Sequence, residues 1–161
     1  MRPRSNLLLI SGVPVVLLAL AACGAGTSTT SPEPASSGAA TGAIPVTLQE
    51  WAIIPGSETT AAGDITFQVT NSGPEDEHEF VVLRTDLDPG ALPTDETGTV
   101  TEEGEDIVVV DEIEDIPVGE TQELTVPLTA GKYVLLCNIY DQTEQEAHYS
   151  LGMRLAFTVT E

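Results

Sequence analysis

Positive charge is scarce in this chain: 5 Lys and Arg stand against 26 Asp and Glu, a formal net charge of −21 over 161 residues. Self-repulsion of that size favours solubility and opposes contact with phosphate backbones or anionic headgroups, which excludes a nucleic-acid partner. Aromatic residues make up only 4% of the chain, yet the hydrophobic fraction is 41%, so one compact domain with appendages is expected rather than disorder throughout. No apolar run reaches the roughly 20 residues that a membrane-spanning helix needs. The chain lacks a G-x-S-x-G elbow, a P-loop and an H-E-x-x-H motif. Carboxylates are abundant in its loops, but abundance does not set a pair around a substrate, and the reading is that this is not an enzyme. Histidine, cysteine and methionine occur twice each. Where these few residues fall therefore carries most of the information.

The N-terminus reads as an export segment. Arg2 and Arg4 precede an apolar run, Leu7 to Leu20, interrupted by Gly12 and Pro14, and Leu20-Ala21-Ala22-Cys23 follows with small residues before a cysteine. That tetrapeptide resembles the lipobox of bacterial lipoproteins. The resemblance implies a signal peptide over residues 1–22, cleavage before Cys23, and a diacylglyceryl group on its thiol. Two acyl chains make a stable anchor where one would be marginal. The expected location is extracytoplasmic, lipid-anchored at the cell membrane. Residues 23–43 then form a flexible tether, since GAGTSTTSPEPASSGAATG buries too little apolar surface to offset its ordering entropy.

From residue 44 to 161 the pattern is that of strands. Ile65, Phe67 and Val69 alternate with polar residues between Asp64 and Thr70, and Asn71-Ser72-Gly73-Pro74 closes the run as a turn. Val46 to Trp51, Phe80 to Leu83, Ile107 to Val110, Thr121 to Leu128, Lys132 to Cys137 and Met153 to Thr160 add further β-rich runs. No segment sustains a helical period. Short strands at this spacing predict an all-β, Greek-key β-sandwich of about seven to eight strands. Thr85 to Asp106 is acidic, turn-rich and longer than most connections, and reads as a solvated loop, with Asp88 to Pro93 compatible with one helical turn.

One stretch gathers soft-metal chemistry. CNIYDQTEQEAHYSLGM, Cys137 to Met153, holds a thiol, an imidazole and a thioether. If Cys23 is lipidated, Cys137 has no internal partner in a compartment that permits disulfides. A lone buried cysteine is often a small core residue, and Met153 shares a strand face with Leu155, Phe157 and Val159, so each alone reads as packing. The histidines alter that balance. His78 opens a strand after Pro74-Glu75-Asp76-Glu77, and His148 lies in the loop after Cys137, so all four residues fall at strand ends that a Greek-key sandwich brings to one pole. Two imidazoles and a thiolate with a weak axial thioether suit both Cu(I) and Cu(II). Zinc more usually asks for further Cys or His, and calcium or magnesium for oxygen.

The segments DITFQVTNSGPEDEHEFVVL, GKYVLLCN and HYSLGMRLAFTV resemble the cupredoxins, the type 1 (blue) copper proteins of plastocyanin and azurin type. The resemblance covers most of residues 44–161. It implies a single copper ion held by His78, Cys137, His148 and the axial Met153. Two features depart from the familiar small members. Ten residues rather than a few separate Cys137 from His148, and Glu79 stands where many members have an asparagine that ties the ligand loops together. Hydrogen bonds of this kind behind the ligands orient them and tune the metal.

Three functions of different class follow. The first is a membrane-tethered electron-transfer protein, a monomer whose solvent-facing His148 edge passes electrons to a redox partner with a basic surface or to a copper-dependent oxidase. The alternative is extracytoplasmic copper storage or delivery. The third is a metal-free binding module of the same fold.

Overall fold

The structure, a computed structural model, describes residues 42–161; the export segment, Cys23 and the tether up to residue 41 lie outside the described residues. In chain order the elements are β1 (Ile44–Gln49), β2 (Ala52–Pro55), β3 (Thr59–Ala61), β4 (Gly63–Asn71), β5 (His78–Arg84) and β6 (Val108–Ile116). They continue with β7 (Thr121–Leu128), β8 (Gly131–Leu136), β9 (Tyr140–Asp141), β10 (Glu146–Ala147), α1 (His148–Leu151) and β11 (Arg154–Thr160). The seven long strand expectations all correspond to strands. The short ones went unread because runs of two to four residues carry too little periodicity to stand out from turns.

Two sheets face each other. One has the order β2-β1-β4-β7 and the other β3-β11-β8-β5-β6, while β9 and β10 form a separate ribbon. Most neighbours are antiparallel, but β1 runs parallel to β4 and β3 parallel to β11. These pairings join segments distant in sequence, as a Greek-key sandwich requires. Pro127 sits in β7, an outermost strand of its sheet, where a missing N–H need not interrupt a central ladder.

The alternation that predicted β4 is realised: Ile65, Phe67 and Val69 are buried between the sheets with Phe80, Leu135 and Phe157. Phe67 is the hinge of an aromatic cluster, with ring centroids 5.3 Å from Phe80 and 5.5 Å from Phe157. Such tilted and edge contacts suit the ring quadrupoles and add to the area term. The parity of β8 also holds. Tyr133, Leu135 and Cys137 face this inner core, and Val134 and Leu136 face the other way.

What Val134 and Leu136 face is a second core. Val81, Leu83, Leu92, Val100, Ile107 and Tyr149 complete it, and three of these lie in or at the end of the acidic connection between β5 and β6. This corrects the solvated-loop expectation. Acidic side chains of the loop face water, but Leu92 and Val100 are buried against the outer face of the five-stranded sheet. The Tyr149 hydroxyl donates to the Pro89 carbonyl (2.7 Å) and accepts from the Leu92 N–H (3.3 Å), and Asn138 Oδ1 accepts from the Val100 N–H (2.6 Å). The Asp88 to Pro93 stretch forms a turn closed by Ala91 N–H to Asp88 O (2.9 Å), not a helical turn.

Candidate metal centre

His78 is the first residue of β5, where the strand leaves the 72–77 turn, and Cys137 directly follows β8. These two neighbouring strands pair from Val81↔Leu136 onward, so their ends lie at one rim of the sheet. His148 arrives on the single turn α1, and Met153 sits between α1 and β11. Backbone bonds lock the returning segment in place: Cys137 N–H donates to Met153 O (3.1 Å), Met153 N–H to His148 O (3.1 Å), and His148 N–H to Ile139 O (2.9 Å). Gly152 ends α1 at φ +130°, a region costly for other residues, and a Cβ there would stand 3.1 Å from the Trp51 carbonyl. Backbone geometry thus calls for a glycine immediately before Met153.

The side chains converge. His78 Nδ1 lies 3.2 Å from His148 Nδ1, and Cys137 Sγ lies 3.4 Å from the same His148 nitrogen. All three donor atoms fall within 4.8 Å of one another, and all three residues are buried. Met153 is fully buried too and belongs to the same inner core as Cys137. The structure therefore brings His78, Cys137 and His148 together and sets Met153 on the segment hydrogen-bonded to Cys137.

The electrostatics suit a cation with soft and nitrogen ligands. Burial pushes the Cys137 thiol up to about 12, opposed by backbone N–H groups of Glu79 and Ile139. Burial also lowers His78 to about 4, helped by repulsion from His148, and lowers His148. Both imidazoles are therefore neutral near pH 7, with a lone pair free to ligate. The buried thiol keeps its proton near pH 7, and a coordinating metal ion would remove it.

The main-chain N–H of Glu79 donates to Cys137 Sγ (3.3 Å) and so links the start of β5 to the Cys137 segment. The Glu79 carboxylate points to a different group, lying within 4.8 Å of those of Glu102 and Glu112. The ten-residue interval after Cys137 is ordered by the β9–β10 ribbon, with Thr143 N–H and Glu144 N–H donating to Asp141 Oδ1. The last residue of the ribbon, Ala147, pairs with Tyr140 and directly precedes His148.

One expectation is overturned. The edge of His148 is not solvent-facing, because the residue is only 1% exposed. The Trp51 ring packs edge-on against it, with centroids 4.9 Å apart, and the imidazole lies in the wall of an open cleft of about 320 Å³ with Asp76, Glu77, Ile139, Tyr140 and Asp141. Trp51 and Glu50 were not singled out from sequence. Their only sign was position: they are the turn after β1, and no periodicity links them to residues 78 and 148.

No protein-family model matches the chain, and no curated protein matches it. Solved structures do. The dithionite-reduced auracyanin of the photosynthetic bacterium Roseiflexus castenholzii matches with a TM-score of 0.52 at 20% identity, over 73% of this chain and 95% of that one. Auracyanin B matches with a TM-score of 0.50 at 16% identity, over 74% and 88%. At such identities the likeness speaks for the fold, and the described chain is a cupredoxin-like Greek-key β-sandwich.

Proposed function

We propose that this protein is a one-electron carrier that holds a single type 1 copper at His78, Cys137, His148 and Met153, and that it is not an enzyme. The observation that carries the reading is the convergence of two neutral imidazole nitrogens and one thiol, all buried, at the pole where β5, β8 and α1 meet. Copper bound there supplies a Cu(I)/Cu(II) couple acceptable to both nitrogen and sulfur donors. The protein's own contribution is a rigid donor set: the backbone bonds between residues 137, 148 and 153 hold the ligands before any metal arrives. A buried donor set held in place by the backbone lets both oxidation states share one geometry, which supports electron transfer over copper storage or delivery.

The cleft beside His148 is the docking place for a redox partner with a basic surface or for a copper-dependent oxidase. Asp76, Glu77 and Asp141 line it, and opposite charges there speed encounter at low salt. A monomer tethered by lipidated Cys23 to the outer face of the cell membrane would present this pole to its partner. Among the described residues no helix is long and apolar enough to cross a membrane. Intact mass of the membrane-extracted protein checks the tether, with Cys23→Ser expected to lose the diacylglyceryl increment.

The central test is optical. The purified protein should bind one copper and, oxidised, show an intense visible thiolate-to-copper band that Cys137→Ser abolishes. Stoichiometric Cu(II) without such a band, together with equal copper binding by the Cys137→Ser variant, would sink the assignment. Binding of Cu(I) alone, with no reversible oxidation, would favour storage or delivery.

A further inference from the structure

Among the described residues three buried side-chain atoms have no hydrogen-bond partner, Glu50 Oε2, His78 Nε2 and His148 Nε2, and the first two belong to neighbouring side chains. The other oxygen of the Glu50 carboxylate, Oε1, accepts from the Asp76 N–H (2.8 Å) and the Glu75 N–H (3.1 Å) and lies 3.8 Å from His78 Nε2. Glu50 is thereby anchored on the turn that leads into β5, its side chain 12% exposed against 0% for His78. On the other side of the imidazole, Nδ1 faces His148. An imidazole that ligates through Nδ1 must carry its proton on Nε2, and a buried N–H without an acceptor is costly. A carboxylate is the natural acceptor, and a shift of less than about 1 Å brings 3.8 Å into hydrogen-bond range.

We propose that Glu50 is a positioning residue of the metal centre: its carboxylate takes the Nε2–H of His78, holds the ring in the tautomer whose Nδ1 lone pair faces Cys137 and His148, and strengthens that nitrogen as a donor. This rests on the copper reading above for its effect on the metal, but not for its effect on the tautomer. Satisfying the turn alone does not account for the arrangement. Oε1 serves both backbone N–H groups and is also the oxygen 3.8 Å from His78 Nε2, while Oε2 is buried without a partner, so the carboxylate has accepting capacity left for the ring N–H. A carboxylate behind a ligating histidine raises ligand basicity and stabilises the more positive ion, so it favours Cu(II) over Cu(I).

The experiment compares wild type with Glu50→Gln in the full chain. Glutamine keeps an oxygen for the Glu75 and Asp76 N–H groups but removes the negative charge and one of the two accepting oxygens beside His78 Nε2. In metal-free protein, nitrogen NMR of the imidazoles should show His78 protonated at Nε2 in wild type and moved toward the Nδ1–H tautomer in Glu50→Gln. With copper, Cu(II) affinity should fall by about 10- to 100-fold, more than Cu(I) affinity, the reduction potential rising by about 59 mV for each tenfold difference. The thiolate-to-copper band should persist, since the sulfur is untouched. A variant with the wild-type tautomer and the wild-type potential overturns the proposal. So does a wild-type protein whose His78 carries its proton on Nδ1, a result that needs no variant to fold. A wild type without the copper band overturns the copper reading instead, and the tautomer measured without metal then decides the role of Glu50 by itself.

Discussion

The two faces of β8 bury different things. Tyr133, Leu135 and Cys137 face a core closed by a second sheet, whereas Val134 and Leu136 face one closed by a connection of irregular backbone. On the inner side the cover is regular, aromatic and continuous with the metal centre. On the outer side the cover is acidic loop, pinned by a few apolar residues and by the hydrogen bonds of Tyr149 and Asn138. A strand buried on both faces needs two lids, and only one of them has to be a sheet. Tyr149, next to the proposed ligand His148, makes the second lid part of what holds α1 in place.

That comparison can be broken experimentally. Phe67→Ala removes the centre of the inner aromatic cluster and should cost about 3–5 kcal/mol, read as a lower urea midpoint at unchanged slope. Leu92→Ala empties the outer core and should cost about 2–3 kcal/mol, the low end for buried leucine, because a loop relaxes into a void more readily than a sheet does. If Leu92→Ala cost as much as Phe67→Ala, the outer lid would be as rigid as the sheet and the distinction would fall. Tyr149→Phe keeps the ring and deletes both hydroxyl bonds, for an expected loss of about 1–2 kcal/mol. Its amide hydrogen exchange should quicken across residues 86–101 and in α1 while the inner strands stay protected. Unchanged exchange in α1 would separate the loop from the site.

The smallest expected effect concerns pH. Glu79 is raised to about 7 by burial and then by the carboxylates of Glu112, Glu102, Glu114 and Asp115. The native state thus retains a proton that the unfolded chain has already released, so this group contributes stability at low pH that is lost as pH rises from 4.5 towards 7. Glu112→Gln removes one repelling charge and should flatten that loss by less than about 1 kcal/mol. Denaturation midpoints at pH 5 and pH 8 test it: an equal midpoint change at both would show that the carboxylates do not couple.

The inner core was legible because alternation at Ile65, Phe67 and Val69 and at Tyr133, Leu135 and Cys137 is a local property of each strand. Scarcity made the site legible as well: with two histidines and, beyond Cys23, one cysteine, few combinations were open. Leu92, Val100 and Ile107 were not read as a core because each stands alone among acidic and turn residues, and their shared surface exists only once the connection folds back. Glu50 and Trp51 were missed for a related reason, since what they do depends on residues 25 or more positions away.

The sequence by itself determined the strand class, the parity that turns Cys137 inward, the identity of the scarce donor residues and the absence of catalytic motifs, because periodicity and residue chemistry are properties of short windows. Tertiary structure alone decided that His78 meets Cys137 and His148, that His148 lies under Trp51 rather than at the surface, and that the acidic connection closes a second core. Those outcomes rest on pairings across tens of residues, where the loop-closure cost is recovered only by the joint burial of partners that no single window contains.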